Sequence, residues 1–117
     1  MSDVTILHNK ACSTSRAAME QLADTDLEVT VVDYLKQPLD EAALRDLADK
    51  LEDPVTDLVR RDSYFKDLGL TDADVADVDQ VVAVLVAHPR LLQRPIVVRG
   101  ERAIIGRPKD RVAPFLR

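Results

Sequence analysis

Two apolar rhythms alternate along this chain. Val4 to Leu7 is a short apolar run of the kind buried strands show, and the β-branched stretch "LEVTVVDYL" (27–35) predicts a second strand. Between them, Ser13 to Ala23 sets Ala18, Met19 and Leu22 on one side, which predicts a helix. Asp40 has the position of an N-cap, and Leu44, Leu47, Ala48 and Leu51 then recur at i, i+3, i+4 and i+7. From Pro54 to Pro89 the period stays helical in shorter pieces. Pro54 suits a first helical turn with Val55, Leu58 and Val59 inward, and Gly69 closes "SYFKDLGL" as a C-cap. Val78, Val81, Val82 and Leu85 predict the inward stripe of a helix ending before Pro89; valine also favours strand, but the 3.6 spacing decides for helix.

The strand rhythm then returns. "IVVRGERAII" (96–105) predicts a β-hairpin around a glycine turn, Gly106 breaks it, and Pro108 opens a last helix with Val112 and Phe115 inward. The order is β-α-β, a helical block, then β-β-α. No repeat, low-complexity tract or linker interrupts it. The expectation is one α/β domain over residues 1–117, with a mixed sheet and a helical insertion at about 38–90.

Composition narrows the function classes. With no Trp and only two Tyr and two Phe, the chain lacks the aromatic platforms of a base-stacking nucleic-acid binder. Its opening, "MSDVTILHNKAC", has neither the basic start nor the long apolar run of an export segment, and no later stretch has membrane-spanning length. A single cysteine forms no internal disulfide, so a reducing cytoplasm is the expected location. Charge is uneven: residues 90–117 balance to +6, whereas residues 1–89 carry −11 of the net −5. A solvated basic flank explains this, and so does a local anion site in an otherwise acidic protein.

Cys12 sits where the first strand run stops and the first helix begins. A lone cysteine is often an inert small core residue. This one precedes the free N–H groups of Ser13, Thr14 and Ser15, which favour thiolate over thiol, and Lys10 and Arg16 add positive potential. Cys12-Ser13-Thr14-Ser15 is a Cys-x-x-Cys arrangement with oxygen in place of the second sulfur. The chain therefore has a candidate nucleophile and no resolving thiol, and an external reductant must restore it once oxidised.

"ILHNKACSTSR" resembles the His-Asn-x-x-Cys-x-x-Ser-Arg motif of the single-cysteine arsenate reductases that use glutathione and glutaredoxin. "LVRRDSYFKDLGL", "HPRLLQRPIVV" and "AIIGRP" resemble that family's later blocks in the same order, so the similarity runs from Val4 to about Pro108. The resemblance implies a thioredoxin-like (glutaredoxin-like) fold. It makes Cys12 the nucleophile toward arsenate, His8 and Ser15 supports of its thiolate, and Arg60, Arg94 and Arg107 the holders of the oxyanion. Arg60 is chosen over Arg61 by its spacing to "YFKDLGL". Asn9 has a structural part only. Lys10 departs from the proline common at its position, which implies a less rigid loop before Cys12. Arg94 precedes Pro95, so its backbone is expected to be extended and to flank a cis bond beside Cys12, and Arg107 precedes Pro108 where a strand hands over to a helix, a favourable anion position.

The implied activity is reduction of arsenate to arsenite, with glutathione or another low-molecular-weight thiol as co-substrate and a glutaredoxin-like protein as partner. No tightly bound cofactor, metal, nucleic acid or membrane enters. Two rivals share the fold. Spx-type regulators bind RNA polymerase, often sensing oxidation through a Cys-x-x-Cys pair that Ser15 precludes, and a related monothiol oxidoreductase would act on another substrate.

Overall fold

The computed structural model describes residues 2–117. β1 (Val4–His8) pairs in parallel with β2 (Val29–Asp33) through the crossover helix α1 (Ser13–Ala23). It pairs antiparallel with β3 (Ile96–Arg99), which forms a hairpin with β4 (Arg102–Ile105), so the sheet order is β2-β1-β3-β4. Between β2 and β3 lie α2 (Glu41–Lys50), α3 (Ser63–Asp67) and α4 (Val78–Ala87), joined by 3-10 turns. A further 3-10 turn (Lys109–Arg111) leads into α5 (Val112–Phe115). The arrangement is thioredoxin-like.

The strand period of two builds two cores from one sheet. Ile6, Val97 and Ile104 are cross-strand neighbours on the face covered by α1 and α5, where they meet Ala18, Leu22, Val112 and Phe115. Leu7, Ile96 and Ile105 are neighbours on the opposite face, packed under the helical block with Leu44, Leu47, Leu85 and Phe65. Ile6 is fully buried, so Ile6→Ala would cost about 2–5 kcal/mol through lost burial and the cavity left behind.

Local signals explain most boundaries. The Asp40 carboxylate accepts the Ala43 N–H at 2.8 Å and caps α2. After α3, Gly69 takes φ +75°, while the Gly69 and Leu70 N–H groups return to the carbonyls of Lys66 and Phe65, a Schellman ending. Gly100 takes φ +62° at the first position of the two-residue hairpin turn. Two expectations need correction. Val78, the first residue of α4, is 39% exposed, so the inward stripe is Val81, Val82 and Leu85. Pro54 stands just outside its element as the N-cap of a 3-10 turn over Val55–Leu58, where inward Leu58 and Val59 are buried.

Candidate active site

The cysteine side of the site is built almost wholly from residues 8–16. Cys12 is the N-cap of α1, with φ −98° and ψ 123°. Asn9 folds the preceding loop: its side-chain oxygen accepts the Ala11 N–H at 2.9 Å and its carbonyl accepts the Cys12 N–H at 3.0 Å. Arg16 donates to the Lys10 carbonyl at 2.8 Å, tying down the loop at the position where proline is missing. Ser15 is wholly buried. Its hydroxyl accepts the Asn9 N–H at 3.1 Å and lies 2.6 Å from His8 Nδ1, which fastens the end of β1 to the first turn of α1. Burial, opposed by Asp33 and aided by Arg16, lowers the His8 pKa from its ordinary value.

The thiol closes no capping hydrogen bond of its own, yet it titrates below the ordinary cysteine value. Burial pushes Cys12 up. The Ser15 amide, the Arg94 guanidinium, the Thr14 amide and the Arg107 guanidinium together more than offset that burial. The Ser15 hydroxyl meanwhile holds the loop.

The arginine side is assembled from three distant segments. Arg107 Nη1 lies 3.7 Å from Cys12 Sγ and donates to the Arg94 carbonyl at 3.2 Å. Both Arg94–Pro95 and Arg107–Pro108 are cis, the first as expected beside Cys12, the second without a sequence signal. Gly106 donates to the Pro95 carbonyl at 2.8 Å, and a Cβ there would stand 2.9 Å from the Pro95 ring. Only glycine allows these two proline segments to close on each other. Arg94 buries its Nε with no hydrogen-bond partner.

Arg60 joins them through a short bridge. Its N–H donates to the Leu91 carbonyl at 2.8 Å, and the Gln93 N–H donates to the Leu58 carbonyl at 2.7 Å, one residue before Arg94. Burial, and then the charges of Arg94 and Arg107, depress its pKa against the pull of Asp62 and Cys12. Arg60 and Arg107 line one cleft. Arg61 is committed elsewhere. It donates to the Thr56 and Val59 carbonyls at 2.5 and 2.6 Å, pairs with Asp72 and lies over the Phe65 ring. A cleft of about 180 Å³ opens among Arg60, Arg61, Asp62, Gln93 and Arg107.

Comparison with known proteins decides the family. Residues 7–115 match the ArsC family. The chain belongs to that family. It is 36% identical over 118 residues to an arsenate reductase of Neisseria meningitidis, covering 99% of this chain and all of the relative. An arsenate reductase of Escherichia coli K12 is 33% identical over 117 residues, with 99% of this chain and 82% of the relative covered. Among solved structures, an arsenate reductase from Vibrio cholerae superposes with a TM-score of 0.80 at 30% identity, covering 95% of each chain.

Within this ArsC chain, the six residues singled out by sequence fall around one centre. Cys12, Arg94 and Arg107 are in mutual reach, Arg60 flanks them, and His8 and Ser15 sit behind the loop. Tyr34 escaped notice. It is 1% exposed, and its hydroxyl receives the Asn9 side-chain N–H and donates to the Leu92 carbonyl, both at 3.5 Å. It links the cysteine loop to the segment that carries Arg94. The one available signal was a tyrosine directly after β2 in a chain poor in aromatics. No helix among the described residues is long and apolar enough to cross a membrane, and no cluster of His, Cys, Asp or Glu there is placed to hold a metal ion.

Proposed function

We propose that this protein reduces arsenate to arsenite in the cytoplasm with Cys12 as its only redox-active thiol. The observation that carries the reading is the pairing of a thiol at the start of α1 with an arginine 3.7 Å from its sulfur. An arsenic oxyanion binds in the adjoining cleft against Arg60, Arg94 and Arg107, whose planar donor forks match its oxygens. The Cys12 thiolate attacks arsenic and a hydroxyl leaves as water, forming an S–As bond. The arginines neutralise charge on the remaining oxygens. A small-molecule thiolate then attacks the Cys12 sulfur. The S–As bonding pair passes to arsenic, arsenite departs, and Cys12 is left in a mixed disulfide. A glutaredoxin-like protein thiol reduces that disulfide, so two thiols supply the two electrons and become one disulfide.

His8 and Ser15 serve as positioning residues, since their contacts hold the loop rather than the reacting atoms. The regulator reading gains nothing from the site, because Ser15 is buried, bonded and has no sulfur to pair with Cys12.

Purified protein given arsenate, glutathione and glutaredoxin should yield arsenite, and Cys12→Ser should yield none while keeping its circular-dichroism spectrum. Arsenite from the Cys12→Ser protein would remove the nucleophile assignment. No arsenite from wild type, with other thiol systems also supplied, would move the reading to another substrate.

A further inference from the structure

The two outer strands of the sheet end in different ways. β4 is closed along its free side: Leu51 bridges to Ala103, Glu52 donates its N–H to the Ala103 carbonyl at 2.9 Å, and the Asp53 carboxylate accepts the Ile105 N–H at 2.9 Å. β2, the other outer strand, pairs with β1 alone among the described residues. Proteins commonly blunt such an edge with a lysine, a proline or a bulge. Val29–Asp33, "VTVVD", contains neither residue, and its register with β1 is unbroken. Its one charged side chain, Asp33, is turned back to accept the Leu35 N–H at 3.1 Å.

One bond sets the direction of every backbone group along this edge. The Glu28 carbonyl accepts the Val4 N–H at 3.1 Å and so faces β1, and backbone groups change sides from each strand residue to the next. The N–H and C=O groups of Val29, Val31 and Asp33 therefore point away from the sheet. The Asp33 carbonyl already accepts the N–H groups of Lys36 and Gln37, at 3.0 and 2.8 Å, so the open stretch stops there. Val31 stands at its centre. It is 44% exposed, and Leu35, just past the strand, is 45% exposed.

We infer that two copies of this chain pair antiparallel along β2, about a two-fold axis at Val31. Such a contact sets residues equally far before and after Val31 against each other. Each Val31 then exchanges both backbone bonds with its counterpart, and each Asp33 N–H reaches the Val29 carbonyl of the second copy. Beyond the ladder, the same symmetry brings Asp26, five residues before Val31, to Lys36, five after it, once at each end. Both side chains are exposed. Parallel pairing would instead set Asp26 beside Asp26 and Lys36 beside Lys36. An edge that is self-complementary in hydrogen bonding, apolar at its axis and opposite in charge at its flanks selects its own copy, in this orientation. The contact lies on the side of β1 away from β3 and β4, the strands next to Arg94 and Arg107, so it stands apart from the reductase reading.

Sedimentation velocity of the full-length protein, from micromolar to millimolar concentration, should show the mass rise from 13.0 kDa toward twice that value. Over the same range, hydrogen exchange at the Val31 amide should slow about tenfold or more, because only the second copy can cover that N–H. Val31→Lys sets two ammonium groups at the axis and should weaken association about tenfold or more. Asp26→Lys and Lys36→Asp, each alone, should weaken it several-fold, and the two together should restore it. All three side chains are exposed, so the circular-dichroism spectra should match wild type. If Val31→Lys perturbs the strand, the charge variants decide the question on their own. A mass fixed at 13.0 kDa up to millimolar concentration would overturn the inference. So would a dimer indifferent to Val31→Lys, or charge reversals that fail to rescue each other.

Discussion

The cysteine loop and the arginine wall meet at one sulfur but are built in opposite ways. The loop uses neutral hydrogen bonds among near neighbours: Asn9 to Ala11 and Cys12, and Ser15 to His8 and Asn9. It is complete before any ligand arrives. The wall gathers three guanidiniums from separate segments, and burial, followed by the charges of Arg94 and Arg107, depresses the pKa of Arg60. Arg94 even buries an Nε with nothing to bond. One side is satisfied within itself, the other carries positive charge and donor capacity that an anion would satisfy. The difference separates stability from affinity: damage to the loop should cost folding free energy, and damage to the wall should cost anion binding.

The largest expected effect breaks the wall. Arg107→Ala removes the charged donor 3.7 Å from the sulfur and, on the proposed reading, one from the oxyanion, so the KM for arsenate should rise about ten- to hundredfold, the scale of one charge-assisted hydrogen bond. Steady-state kinetics would show it, with the denaturation midpoint nearly unchanged. An unchanged KM would take Arg107 out of the site.

Next comes the loop. Ser15→Ala leaves the Asn9 N–H and the His8 Nδ1 without their buried partner, and urea denaturation should show a loss of about 1–3 kcal/mol. A stability loss below a few tenths of a kcal/mol would mean that the loop does not depend on that hydroxyl.

The adjacent arginines sharpen the contrast within two residues. Arg61→Ala should lower the melting temperature and leave the KM for arsenate alone, because its guanidinium holds the Thr56 and Val59 carbonyls and covers Phe65. Arg60→Ala should do the reverse. If both variants shift the same quantity, the two side chains do not have separate tasks.

The smallest effect concerns pH. The folded pKa of His8 lies below its ordinary 6.5. Between those two values the unfolded chain binds more protons than the folded one, so stability falls as pH drops through that window. His8 is partly exposed, so the slope is small, and His8→Asn should remove it. An unaltered pH dependence in that variant would assign the slope to other groups.

How much of this was readable beforehand follows from the same division. The strands and α1 were legible because their periods are local, and so were the caps at Asp40 and Gly69. Cys12 at a helix start was legible for that reason too. Val78 was misread as inward because spacing defines a helix face but not how far along the helix its neighbours pack. The arginines stood out through family resemblance alone; as residues, each read as a surface charge. What separates Arg60 from Arg61 is a backbone bridge between Val59 and Leu92, a long-range pairing with no local signature. Tyr34 went unnoticed for the same physical reason, since its partners lie 25 and 58 positions away.

The central claim is that helix start and arginines together hold Cys12 as a thiolate ready for an oxyanion. The pH dependence of its alkylation by iodoacetamide, followed by intact mass, tests that claim most directly. Wild type should show an inflection below that of a free cysteine peptide measured alongside. Arg107→Ala should move the inflection upward, and added arsenate should slow the wild-type reaction. An inflection at or above the free-thiol value, indifferent to Arg107 and to arsenate, would contradict the account.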